Sequence, residues 1–128
     1  MLRSRIHPGL ALGAGVLLGI GISGVIHAQS RPPAYVISEI EVTNPEAYAR
    51  DYVPLANAAL AASGQRRLAS GGRTIALAGE PPAARIVVSR FASLEQAEAA
   101  YTSPAYLEAR RIGDRYGRLR IFAVEGIE

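Results

Sequence analysis

Cysteine, tryptophan and lysine are absent from this chain of 128 residues, and its two histidines, His7 and His27, both fall within the first 28. With no thiol and no imidazole beyond residue 28, a Cys/His nucleophile, a Ser-His-Asp arrangement and a zinc or haem site with His or Cys ligands are all excluded there. The lack of lysine excludes Schiff-base chemistry. What remains is carboxylate, hydroxyl, arginine and backbone. The 11 acids are scattered and form no D-x-D-x-D-G loop, so neither a metal site nor a cofactor is expected.

An excess of one charge is lacking too. All 14 basic residues are arginine, and setting aside Arg3 and Arg5 leaves 12 against 11 acids from residue 29 onward, a nearly neutral balance. Nucleic acid is therefore not an expected partner, since binding it calls for a concentrated basic patch. Long apolar runs are limited to one. Leu10 to Ile26 carries no charge, follows the basic stretch MLRSRIHPG and precedes His27-Ala28-Gln29, with a small residue where a signal peptidase would cut. We read residues 1–28 as an export signal, 29–33 as a linker and 34–128 as the domain, placed in the periplasm or outside the cell. The rival reading is an uncleaved anchor through residues 10–26, which would bring the protein to a membrane. Its 17 residues touch the lower limit for a span, and Gly15-x-x-x-Gly19 would pack helices. Five glycines in the run and the lack of a following basic cluster favour cleavage.

About 100 residues then remain, enough for one domain. Ala34 to Val42 alternates β-branched residues with acids and predicts a strand. Asn44-Pro45-Glu46 opens a helix by cap, N1 proline and favourable charge, and Tyr48, Tyr52, Leu55, Ala56, Ala59 and Leu60 form its apolar stripe, with Pro54 kinking or restarting it. Arg66 to Ala78 reads as two short runs about Gly71-Gly72, a hairpin or bulged ribbon rather than a phosphate-holding nest. Arg85 to Phe91 is the next strand. Ser93 and Gln96 have capping-box spacing for a second helix, Ser103-Pro104 restarts it, and Leu119 to Val124 is the last strand. The order predicts an α+β, ferredoxin-like βαββαβ sandwich, an antiparallel sheet with both helices on one face. In the last two strands both alternating sets are apolar, Ile86 and Val88 against Val87 and Phe91, then Leu119 and Ile121 against Phe122 and Val124. A sheet face open to water should alternate with polar residues, so a second copy is expected to cover it, making a homodimer through the sheet face.

The motifs Asn44-Pro45-Glu46-Ala47-Tyr48, Tyr52, Gly71-Gly72, Phe91-Ala92-Ser93, Ser103-Pro104-x-Tyr106 and Val124-Glu125-Gly126 carry a resemblance to domain-of-unknown-function family 1330, of the dimeric α+β barrel superfamily. The resemblance implies protomers paired sheet to sheet as a dimeric α+β barrel. That superfamily includes cofactor-free monooxygenases, haem-degrading enzymes and small-molecule isomerases, so it implies no single chemistry. Arg90 stands where the family more often has Glu, Asn44 where Asp is common, Ala100 where an aromatic is common, and Gly113 where the family has an arginine.

Two functions follow. One is an exported domain that binds, or acts without a cofactor on, a small organic acid or phenol; the other is a non-enzymatic exported dimer with an interaction role. For the first, Tyr106 and Arg110 are the chosen ligand-binding residues, four apart on one helix face, with Tyr48, Tyr52 and Arg90 as additions. Arginine suits a carboxylate and tyrosine faces suit a flat body. The leaner reading of the same tyrosines is packing alone.

Overall fold

The computed structural model describes residues 31–127. The leader and the first residues of the linker lie outside them. The element order is β1 (Ala34–Val42), α1 (Pro45–Ala47), a π turn (Tyr48–Tyr52), α2 (Val53–Ala62), β2 (Arg66–Ser70), β3 (Arg85–Phe91), α3 (Leu94–Thr102), α4 (Pro104–Gly113) and β4 (Gly117–Glu125). The strands form one antiparallel sheet in the order β2-β3-β1-β4, with the helices on one face. This is the expected ferredoxin-like plan.

Local chemistry explains where the helices begin. Asn44 Oδ1 accepts from the Ala47 N–H at 3.1 Å, Ser93 Oγ from Gln96 N–H at 3.1 Å and Ser103 Oγ from Tyr106 N–H at 3.3 Å, each satisfying a donor that a first turn leaves open. Gln96 also ties elements together. Its Oε1 accepts from Ala92 N–H at 3.0 Å and its Nε2 donates to Ser63 O at 3.1 Å, joining the start of α3 to the end of α2.

The break before Pro54 takes a specific form. Proline has no N–H to return to the Arg50 carbonyl, and the turn ahead of it closes in the wider register, with Val53 N–H donating to Tyr48 O, five residues back. That extra residue shifts the phase of the stripe. In an unbroken α-helix Leu55 would lie on the face of Tyr48; here Ala56 takes the inward place and Leu55 is 47 % exposed.

The expected hairpin about Gly71-Gly72 does not form. Only Arg66–Ser70 is a strand, and it pairs antiparallel with Arg85–Phe91 across a connection that spans residues 71–84. Gly71, at φ +68°, turns the chain out of β2 while its N–H donates to Ile86 O at 2.8 Å. The second run then has no strand beside it, leaving Ile75 78 % and Leu77 90 % exposed.

Strand register assigns each side chain to a face. Ala34, Val36, Ser38 and Ile40 of β1 stand level with Phe91, Ser89, Val87 and Arg85 of β3, and with Glu125, Ala123, Ile121 and Leu119 of β4. These point towards the helices. The core there is built from Val36, Phe91, Tyr106 and the small inward residues Ala97, Ala100 and Ala109, which let α3 and α4 approach closely. Gly113 has a similar role, since a Cβ on it would come within 2.6 Å of the Tyr52 ring. On the other face lie Tyr35 and Ile37, Ile86 and Val88, Phe122 and Val124, followed by the cross-strand ion pairs Glu39–Arg120 and Glu41–Arg118. This face has a large apolar part and, among the described residues, no helix over it.

Candidate functional site

Between the sheet and the helices is a cavity of about 60 Å³. The floor is Ser38 and Ile40 of β1, Val87 of β3 and Ile121 of β4; one wall is Tyr48, Tyr52 and α2, the other Tyr101 and Tyr106. At the β2 side stand Gln65, Arg67, Ser70 and Arg85. The two tyrosine pairs reach it for different reasons. Tyr48 and Tyr52 are turned inward together by the π register, with ring centroids 4.9 Å apart. Tyr101 and Tyr106 come from two helices joined at Ser103-Pro104 and meet edge to face at 4.7 Å. The Tyr52 and Tyr106 hydroxyls lie 3.5 Å apart across the cavity.

Of the residues chosen from the sequence, the structure brings Tyr48, Tyr52 and Tyr106 together here. Arg110 is placed elsewhere: its Nε donates to Asp114 Oδ1 at 2.6 Å and its Nη2 to Leu119 O at 3.2 Å, and it does not line the cavity. Burial works against its charge, but Asp114 and Tyr106 outweigh that and raise its pKa. Arg90 stands level with Tyr35 of β1 and Arg66 of β2 on the opposite face of the sheet. The cations that do line the cavity are Arg67 and Arg85, which sequence reasoning missed. Arg85 had a signal. With Phe91 and Ser89 facing inward, Val87 and Arg85 follow at steps of two, so a charge sits on a buried face.

The polar groups are mostly engaged. Arg67 Nη2 donates to Asn57 Oδ1 at 2.7 Å, and Gln65 Nε2 donates to Ser89 Oγ at 2.8 Å. Burial pushes the Tyr52 phenol well above its usual value of 10.0, and that of Tyr101 up to about 12, against a downward pull from Ser38, Gln65 and Arg67. Burial also raises Tyr48, and the Arg85 guanidinium pulls it partly back. All three phenols are thus neutral hydrogen-bonding groups near neutrality. Because their folded pKa values lie above the unfolded value, the stability they contribute is present below about pH 10 and lost as pH rises through the folded values, about 12 for Tyr101. Urea titrations should therefore give an unfolding free energy that is steady to about pH 9 and falls steeply between about pH 10 and 12. A flat profile through pH 12 would show that the phenols are already open to solvent. Among the described residues, no three Asp, Glu, His or Cys side chains cluster as metal ligands would.

A four-stranded antiparallel sheet with helices over one face and a cavity between the layers places this protein among the α+β barrel-like proteins. Residues 33–127 match the family described as domain of unknown function DUF1330, and the chain belongs to that family. A protein of unknown function from Rhodopseudomonas palustris has a similar structure, with a TM-score of 0.54 at 15% identity, over 77% of this chain and 85% of that one. SnoaB, a cofactor-independent oxygenase from Streptomyces nogalater, is similar with a TM-score of 0.51 at 10% identity, over 76% and 95%. A conserved protein of unknown function from Bacteroides thetaiotaomicron, described as a possible oxidoreductase, gives 0.50 at 9% identity, over 75% and 99%. At these identities the likeness is one of fold. No curated protein matches the chain.

Proposed function

We propose that this protein is an exported homodimer that takes up a small organic acid or phenol, without a cofactor, in the tyrosine-walled cavity of each protomer. One observation carries the reading: the cavity is lined by four tyrosines and two arginines and by no carboxylate. A domain with only an interaction role has no use for such a space, and filling it with side chains would add dispersion contacts at no functional loss. The leader supports export, and the apolar sheet face supports pairing of two copies through self-complementary contacts. Among structural neighbours, SnoaB is a cofactor-independent oxygenase, which shows that a fold of this kind accommodates chemistry without a prosthetic group.

Thermal denaturation of the purified protein against a panel of aliphatic acids, aromatic acids and phenols tests the reading. A ligand at a hundred times its dissociation constant stabilises by about 2.7 kcal/mol, which for a domain of about 100 residues raises Tm by roughly 10–20 °C. Absence of a shift from every compound on the panel would leave the interaction role as the better account.

A further inference from the structure

The charge in the cavity is one-sided, and one of its donors is idle. Neither Arg67 nor Arg85 has a carboxylate partner among the described residues, and the ion pairs there engage other arginines. Arg67 is engaged by Asn57. Arg85 reaches Ser70 Oγ only at 3.3 Å, and its Nε is buried with no hydrogen-bond partner. A buried donor on a charged group is costly to leave unmade, and the chain leaves room for the group that carries it. Gly71 stands where any side chain would collide with the Arg85 guanidinium, and its φ of +68° suits glycine.

We infer that Arg85 is the anion-anchoring residue of the cavity and that the ligand is a short aliphatic monocarboxylate of about two to four carbons. This rests on the cavity reading above and narrows it. A carboxylate approaching side-on accepts from Nε and one Nη together, which supplies the missing partner and uses the fixed fork that lysine lacks. Size sets the chain length. A cavity needs about 10–15 Å³ to hold one water, so about 60 Å³ takes on the order of four to six non-hydrogen atoms. A cavity known to hold benzene is about 150 Å³, well over twice as large, so the space suits a short acid better than a phenyl ring. The apolar surfaces of Ile40, Val87 and Ile121 suit one to three methylene or methyl groups, and the neutral phenols add hydrogen bonds without adding charge.

Titration calorimetry with sodium acetate, propionate, butyrate, benzoate and phenol, at constant ionic strength, tests this on the purified protein. Propionate or butyrate should bind, benzoate and phenol should not, and Arg85→Gln should weaken binding about tenfold or more, as expected for lost hydrogen bonds to a charged group. The exposed Arg111→Gln should leave the affinity within about twofold. Should Arg85→Gln fail to fold, Arg85→Lys decides: it keeps the charge, loses the fork and should still weaken binding several-fold. Short acids that bind Arg85→Gln or Arg85→Lys undiminished, or that are lost instead in Arg110→Gln, would overturn the assignment while leaving the cavity as a ligand site. Binding of benzoate or phenol in place of the short acids would likewise overturn it. If no acid and no phenol binds, both this inference and the reading beneath it fall.

Discussion

Tyr106→Ala will lower the unfolding free energy by about 3–5 kcal/mol, the range for truncating a large buried aromatic. Tyr106 is 2 % exposed and heads the fully buried side chains by volume. Its ring meets Tyr101, its hydroxyl faces Tyr52, and its N–H is the one that Ser103 caps. Truncation therefore leaves a void joined to the existing cavity, bounded by two helices and the sheet, where collapse is least able to recover the loss. In a domain of about 100 residues such a change moves Tm by roughly 12–40 °C. Tyr106→Phe isolates the hydroxyl, which stands 3.5 Å from that of Tyr52 and also acts on Arg110, and should cost about 1 kcal/mol. Urea denaturation of both variants provides the check. A loss below about 1 kcal/mol for the alanine variant would mean that the cavity wall is not part of the cooperative core.

Phe122→Arg will convert the proposed dimer into a monomer without loosening the protomer. Phe122 lies on the sheet face opposite the helices, level with Ile37 of β1 and 44 % exposed in the single chain. Two-fold pairing places it in the interface twice, so one substitution removes two aromatic burials, each worth about 2–3 kcal/mol. Association should weaken by about a thousandfold or more. The new guanidinium also lies beside Arg120, whose own guanidinium sits 5.2 Å from the Phe122 ring centroid, so like charge adds to the effect. Light scattering should report two chains for the unmodified domain and one for the variant, with urea unfolding of the isolated protomer changed by no more than about 0.5 kcal/mol. A single-chain mass for the unmodified domain at micromolar concentration would end the proposal, and would show that water tolerates this face.

What was legible in the sequence was whatever depends on a few neighbouring residues. Period-two alternation marked β1 and a run of β-branched residues marked β3, and Asn44, Ser93 and Ser103 announced their helices because a cap acts within three residues. Three tyrosines of the cavity were legible because helical spacing placed them inward. Contacts set by pairing between strands were less accessible. The inward place of Arg85 is fixed by its register with Ile40, and the run of Ile75 and Leu77 has the composition of a strand because apolar runs look alike whether or not a partner lies beside them. The ion pair of Arg110 does have a local signal. Asp114 follows it by four residues on the same helix face, a spacing that favours the ion pair the structure holds.

The π turn at Tyr48–Tyr52 holds one residue more than the α turn it replaces, which makes the cavity tolerant of chain length at this point. Removing one residue between Tyr48 and Tyr52 would let the helix close in ordinary α register with the segments on either side keeping their faces, since Ala56 would then follow Tyr48 by seven residues, two α turns. Tyr48 would stay on the face of Ala56, and the segment entering from β1 would not have to shift. A relative one residue shorter at this point can therefore keep the pocket, so a gap here carries less functional weight than a substitution at a lining residue.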